Sequence, residues 1–139
     1  MTAFLWALLT AGIWGVVPLM EKVGLGKGDP FIGVFARSLG VVFGVVCFGL
    51  WRWPWPALGA LGVRSFLLLA LGGVLASFVG QLAFYHALRV GAISHVTPVA
   101  GAYPLVAAIL GWVCLREPLS LSRVAGVLCV VMGVFLLRK

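Results

Sequence analysis

From Phe31 to Trp51 the chain reads FIGVFARSLGVVFGVVCFGLW, an apolar run interrupted by a single charge, Arg37. A helix needs roughly 20 such residues, at about 1.5 Å of rise each, to cross the hydrocarbon core of a bilayer. The run has that length, and both of its flanks look like span ends. Before it stand Gly24, Gly26, Gly28, Asp29 and Pro30, a short polar turn. After it stand Trp51, Trp53 and Trp55 with Pro54 and Pro56, an aromatic loop of the kind that sits at a membrane interface.

The same pattern repeats outward in both directions over the 139 residues. Spans are expected at about residues 3–20, 31–51, 65–88, 92–115 and 119–137. The first contains Pro18 and is followed by Glu21 and Lys22. Arg89, Val90 and Gly91 turn the third into the fourth, Arg116-Glu117-Pro118 ends the fourth, and Arg138-Lys139 ends the fifth. Composition agrees: 63% of residues are hydrophobic, 9% are charged and the mean hydropathy is +1.20. Soluble domains carry about 45–50% apolar and about 25% charged residues. The expected fold is therefore all-α, a polytopic membrane bundle of five transmembrane helices forming one domain over residues 1–139. The N-terminus has no basic region and no small-residue cleavage site, so the first run is expected to remain as a span rather than leave as a signal peptide.

The formal charge of +7 does not point to nucleic acid. The ten basic residues are scattered singly between apolar runs, where they anchor helices at lipid headgroups. Cys47, Cys114 and Cys129 lie inside apolar stretches, odd in number and without metal-ligand spacing, and read as small buried hydrophobes. No phosphate-binding glycine loop is present, nor a nucleophile at motif spacing from a His and an acid. Neither an enzyme nor a cofactor is expected.

Polar groups in a bilayer are costly and usually face a bundle interior or a water-filled cavity. At 100° per residue Trp6, Thr10, Trp14, Val17 and Glu21 share one helix face. Ser77, Gln81 and Tyr85 share a face of the third span. Ser94, Thr97, Gly101, Pro104 and Ala108 form a small, partly polar stripe on the fourth. Three such stripes suit a central cavity for an amphipathic organic molecule. Glu21 has two readings: it marks the end of the first span and pairs with Lys22 or Lys27, or it is a buried proton-coupling carboxylate. Arg37 reads as a structural partner for an acid or a carbonyl, with substrate binding as the alternative. His86 points away from the Ser77 stripe, His95 lies near a span end, and Glu117 beside Arg116 reads as a loop pair or helix terminator. Small residues recur at packing intervals in Gly40 and Gly44, in Gly72, Ala76 and Gly80, and in Gly126 and Gly133. Such rows let helices approach closely in lipid.

Residues across the whole chain also resemble a known domain. The stretch Ala87-Leu88-Arg89-Val90-Gly91-Ala92, then Pro98, Pro104, Glu117-Pro118-Leu119-Ser120, Gly126 and Gly133, resembles the C-terminal part of the EamA domain of the drug/metabolite transporter superfamily. Trp14-Gly15 ahead of Lys22, and Arg37 in the second span, resemble its first half. His86 departs from the small residue common there. Most such transporters carry two five-helix domains in inverted orientation; this chain is similar to the single-domain five-span bacterial and archaeal branch. The resemblance implies transport of small organic solutes in a bacterial plasma membrane, although Glu21 is not matched to the central carboxylate of the related four-span transporters.

Inverted repeats place the substrate site at their interface, so a single repeat is expected to pair with a second copy. One side of the membrane receives Arg52, Arg64, Arg116 and Arg123; the other receives Lys22, Lys27, Arg89, Arg138 and Lys139. A strong imbalance would fix one orientation. The near-tie permits an antiparallel homodimer. Two other readings stand beside the transporter: a non-transporting membrane subunit of a larger complex, and a flippase-like half for lipid-linked carriers.

Overall fold

The computed structural model describes residues 3–52, 55–118 and 120–136. Trp53 and Pro54 of the expected aromatic loop, Leu119, and the closing Arg138-Lys139 lie outside the described residues. All regular structure among the described residues is helical. Four helical segments are long and apolar enough to cross a membrane, Ala3–Leu25, Pro30–Arg52, Val63–Val90 and Ile93–Leu115, and a shorter apolar helix covers Leu121–Leu136. The fold class is all-α, a membrane helical protein of about five spans.

The chain divides into two compact units, Met1–Val90 and Gly91–Lys139. In the first, α1 (Ala3–Leu25) runs through Glu21 and on past Gly24. Glutamate is a good helix former, so the charge at Glu21 does not end the helix. Gly26, at φ 52, ends the helix in the left-handed region that glycine tolerates. Asp29 then caps α2 (Pro30–Arg52), its Oδ1 accepting from the Phe31 N–H at 2.7 Å, while Pro30 takes the first helical position where no N–H is needed. A short helix α3 (Trp55–Ala60) leads to Gly62, at φ 74, and into the third span. That span is not uniform: α4 (Val63–Val74) passes into a π-helical turn, Leu75–Gly80, before α5 (Gln81–Val90). Phe78 of the π turn meets Phe31 edge-on, with ring centroids 6.4 Å apart.

Burial in this unit collects at one end. The buried side chains are Pro18 and Leu25 of α1, Pro30 and Val34 of α2, and Tyr85 and Leu88 of α5. These belong to the C-terminal part of α1, the start of α2 and the end of α5. Most other large apolar side chains of the unit point outward, as suits helices whose solvent is lipid.

The second unit contains α6 (Ile93–Ala100), α7 (Tyr103–Leu115) and α8 (Leu121–Leu136). The fourth span is broken at Gly101-Ala102. Pro104 cannot donate to the preceding turn and favours a helix start, and the Gly101 N–H closes α6 on the Thr97 carbonyl at 2.7 Å. At the other end of α7, Arg116 adopts φ 54, and the Glu117 N–H turns back to the Gly111 carbonyl at 3.2 Å.

Candidate functional site

The packed end of the first unit holds a polar cluster drawn from three helices. Glu21 of α1 accepts twice at Oε1: from Arg37 Nε of α2 at 3.2 Å and from Gln81 Nε2 of α5 at 2.7 Å. The Tyr85 hydroxyl, one turn further along α5, lies close to the same carboxylate and to Gln81. The Glu21 side chain is only 9% exposed and that of Arg37 31%. Counted along their helices at 1.5 Å per residue, these groups lie about 6–14 Å inside the span ends. A lone carboxylate at that depth is costly, and it is compensated here by one guanidinium and one amide donor. Arg37 Nη1 is buried and has no hydrogen-bond partner among the described residues, so one strong donor of the cluster is unspent.

Gly33, which the spacing of the sequence did not single out, and Lys22, in a role it did not offer, shape this site. Gly33 has no side chain where the Tyr85 ring lies: a methyl there would stand 2.7 Å from ring carbons Cδ2 and Cε2, and 3.0 Å from Leu25 Cδ1. The ring therefore presses against the α2 backbone, 3% exposed, and carries its hydroxyl to Glu21. Lys22, which the sequence offers as a partner for Glu21, instead donates from Nζ to the Leu88 carbonyl near the end of α5. A cation there also complements the negative end of the helix dipole.

An open cavity of about 540 Å³ adjoins the cluster, with Glu21, Arg37 and Tyr85 on its walls beside Val17, Met20 and Gly40. Its surface is mainly apolar with one neutralised ion pair. Such a wall can hold an amphipathic molecule by its apolar body and orient it through the polar groups.

The other expected residues fall in several places. Trp6, Thr10 and Trp14 lie exposed along α1, and the Thr10 hydroxyl donates to the Trp6 carbonyl of its own helix at 2.9 Å. Ser77 sits in the π turn and is exposed. In the second unit, Thr97 is on α6 with its hydroxyl buried and unpartnered among the described residues, Gly101 is in the break, and Pro104 opens α7. Beside Gly40, Gly44, Gly72, Gly126 and Gly133 the space is open, with no described atom within 4 Å of an added Cβ other than the helix's own backbone; Gly80 meets only Leu75 of its own turn. His86 and His95 are exposed. No group of three or more potential metal-binding side chains occurs among the described residues.

The model of the EamA-like transporter family matches residues 1–139. The chain is 28% identical over 132 residues to an uncharacterized transporter in a cobO 3' region of Sinorhizobium sp, covering 95% of this chain and 93% of that protein. It is 24% identical over 136 residues to an uncharacterized protein of Methanocaldococcus jannaschii, covering 98% of this chain and 96% of the relative. No solved structure matches the chain significantly. Apolar helices of spanning length, an ion pair set between them and a family match over residues 1–139 agree, and the chain belongs to the EamA-like transporter family.

Proposed function

We propose that this chain is one half of a solute transporter, a five-helix unit that pairs with a second copy and moves small organic metabolites or amphipathic drugs by alternating access. The observation that carries the reading is the Glu21–Arg37–Gln81–Tyr85 cluster on the wall of an open, mostly apolar cavity. Ionisable side chains inside spans mark solute and ion paths, because lipid penalises them wherever they serve nothing. Both relatives are of nearly this chain's length, so the one-repeat size recurs. Where repeats build a transporter, the site lies between them, and a single repeat meets its counterpart in another copy. The near-balance of basic residues supports an antiparallel arrangement in a bacterial plasma membrane.

In this mechanism Glu21 takes up and releases the coupling proton, and Arg37 is its counter-ion. Trp6, Thr10 and Trp14 extend the solute path along α1. Ser77 contributes to the same path, Thr97, Gly101 and Pro104 form a solute-facing stripe of the second unit, and the glycine rows are the faces on which helices of the pair meet.

The test is reconstitution of the purified chain into liposomes with a panel of radiolabelled metabolites and one amphipathic dye. The expected result is flux of at least one solute above empty vesicles, abolished by Arg37→Ala and by Gly40→Trp, which fills the cavity. Native mass spectrometry should show twice the 14.7 kDa chain. Obligatory co-purification with a different chain and no flux selects the subunit reading; lipid movement without solute flux selects the lipid-carrier half.

A further inference from the structure

A second feature lies within the second unit, at the corner between α7 and α8. A slot of about 170 Å³ opens there, walled by Ala108 and Trp112 of α7 and by Val124 and Leu128 of α8. Glu117 and Arg123 line the same slot. Ala108 stands seven residues before the end of α7 and Leu128 seven after the start of α8. The slot therefore reaches about 10 Å from the corner at 1.5 Å per residue. Its mouth lies at the polar boundary of two apolar helices and its depth among their apolar side chains.

Both charged residues are exposed, and neither is paired with the other. The left-handed backbone at Arg116 sends Glu117 back over α7, where its carboxyl lies against Gly111; a methyl on that glycine would stand 3.5 Å from Oε2. Arg123 Nη1 donates to the Pro118 carbonyl at 3.3 Å, and the Arg123 N–H donates to Ser120 Oγ at 3.3 Å. Among the described residues, the one ion pair is that between Arg37 and Glu21. An acid and a base thus stand unpaired at one apolar slot. Opposite charges at a membrane interface gain most from a partner that satisfies each of them, since the low-dielectric surroundings strengthen the attraction. A ligand that suits all of these groups has one anionic and one cationic group and an apolar tail.

We infer that this corner binds a phospholipid with an ethanolamine headgroup, its phosphate on Arg123, its primary ammonium on Glu117 and the start of an acyl chain in the slot. Guanidinium suits phosphate through paired N–H donors, and an ammonium offers three N–H donors to a carboxylate. A choline headgroup has the charge but no N–H. A glycerol headgroup leaves Glu117 without its cation and adds a net negative charge beside it. The occupant is a lipid rather than a free headgroup because the slot contributes through the acyl chain.

The experiment is native mass spectrometry of the full chain in detergent, titrated with phosphatidylethanolamine, phosphatidylcholine and phosphatidylglycerol of matched acyl chains, and with soluble phosphoethanolamine as competitor. Retention of the ethanolamine lipid is expected to exceed that of the choline lipid by about tenfold, the equivalent of one charge-assisted hydrogen bond. Glu117→Gln should abolish that preference at unchanged helical content by circular dichroism. Val124→Phe, which fills the slot, should lower retention of all three lipids, and phosphoethanolamine should not compete. Equal retention of ethanolamine and choline lipids by the unaltered chain overturns the inference, and this measurement needs no variant to fold. So does a preference that survives Glu117→Gln, or a lipid-free dimer that Val124→Phe dissolves, which would place a second copy in the slot. None of these readouts depends on solute flux.

Discussion

Gly33→Ala places a methyl carbon 2.7 Å from two ring carbons of Tyr85 and 3.0 Å from Leu25 Cδ1. Favourable carbon–carbon contact begins near about 3.5 Å, so the overlap is roughly 0.8 Å. The ring has little room to step aside. It is 3% exposed, and Leu88 one turn on is fully buried. Overpacking of this kind costs about 1–3 kcal/mol, while the better helix propensity of alanine offsets up to about 1 kcal/mol. With the full offset the expected net loss is about 0–2 kcal/mol. Gly12→Ala on α1, where no described atom lies within 4 Å of the new methyl, should show the propensity gain alone, about 0.5–1 kcal/mol in the stabilising direction. Both can be measured by reversible unfolding in mixed micelles, followed by circular dichroism against increasing dodecyl sulfate. The decisive comparison repeats Gly33→Ala in a Tyr85→Ala background. With the ring gone the methyl enters vacated space, so the penalty should vanish or change sign. If Gly33→Ala behaves like Gly12→Ala, or costs the same with and without the ring, the close approach is not what holds Tyr85.

Two further outcomes follow from the same cluster. In a double-mutant cycle on Glu21→Gln and Arg37→Gln, the fully buried limit for breaking an ion pair is about 3–5 kcal/mol. The partial exposure of Arg37 and the Gln81 bond that remains bring the expected coupling down to about 1–2 kcal/mol; additive single effects would show that the pair does not interact. Lys22→Met keeps the long stem but removes the ammonium that donates to the Leu88 carbonyl. It should cost about 1–2 kcal/mol and speed amide hydrogen exchange in the last turn of α5. Unchanged exchange there would mean the tether contributes nothing.

The membrane-helical class was legible because it depends on one local property, apolar length, which every stretch such as Phe31–Trp51 displays by itself. The partners of Glu21 were legible only in part. Arg37 read as a partner for an acid or a carbonyl, but which acid was open, because nearer basic residues, Lys22 and Lys27, were available to Glu21; Gln81, from another helix, was not read as a partner at all. Glycines were sought in rows four apart, and Gly33 belongs to none. Its function comes from a tyrosine on another helix, which no spacing within α2 can show. The π-helical turn Leu75–Gly80 shows a different limit: regular winding is the default through such an apolar stretch, and its composition does not announce the change.

The concentration of burial at one end of the first unit has a physical source. In water, apolar surfaces along the full length of three helices would be driven together. In lipid that drive is absent, and helices associate only where packing or polar contact supplies a reason. In this unit the polar reason is local: the last turns of α1, the first turns of α2 and the last turns of α5 share one carboxylate, one guanidinium, an amide and a phenol. Away from that cluster Gly40, Gly44 and Gly72 face open space, and no polar link between α1, α2 and α4 comparable to the Glu21 cluster occurs among the described residues. Helices fastened at one end and unfastened along the rest have a fixed point about which to tilt. Three of the groups that fasten them, Glu21, Arg37 and Tyr85, also line the cavity. In the mechanism we propose, a change of charge at Glu21 acts at once on what the cavity binds and on what holds the helices together, which is the linkage that alternating access requires.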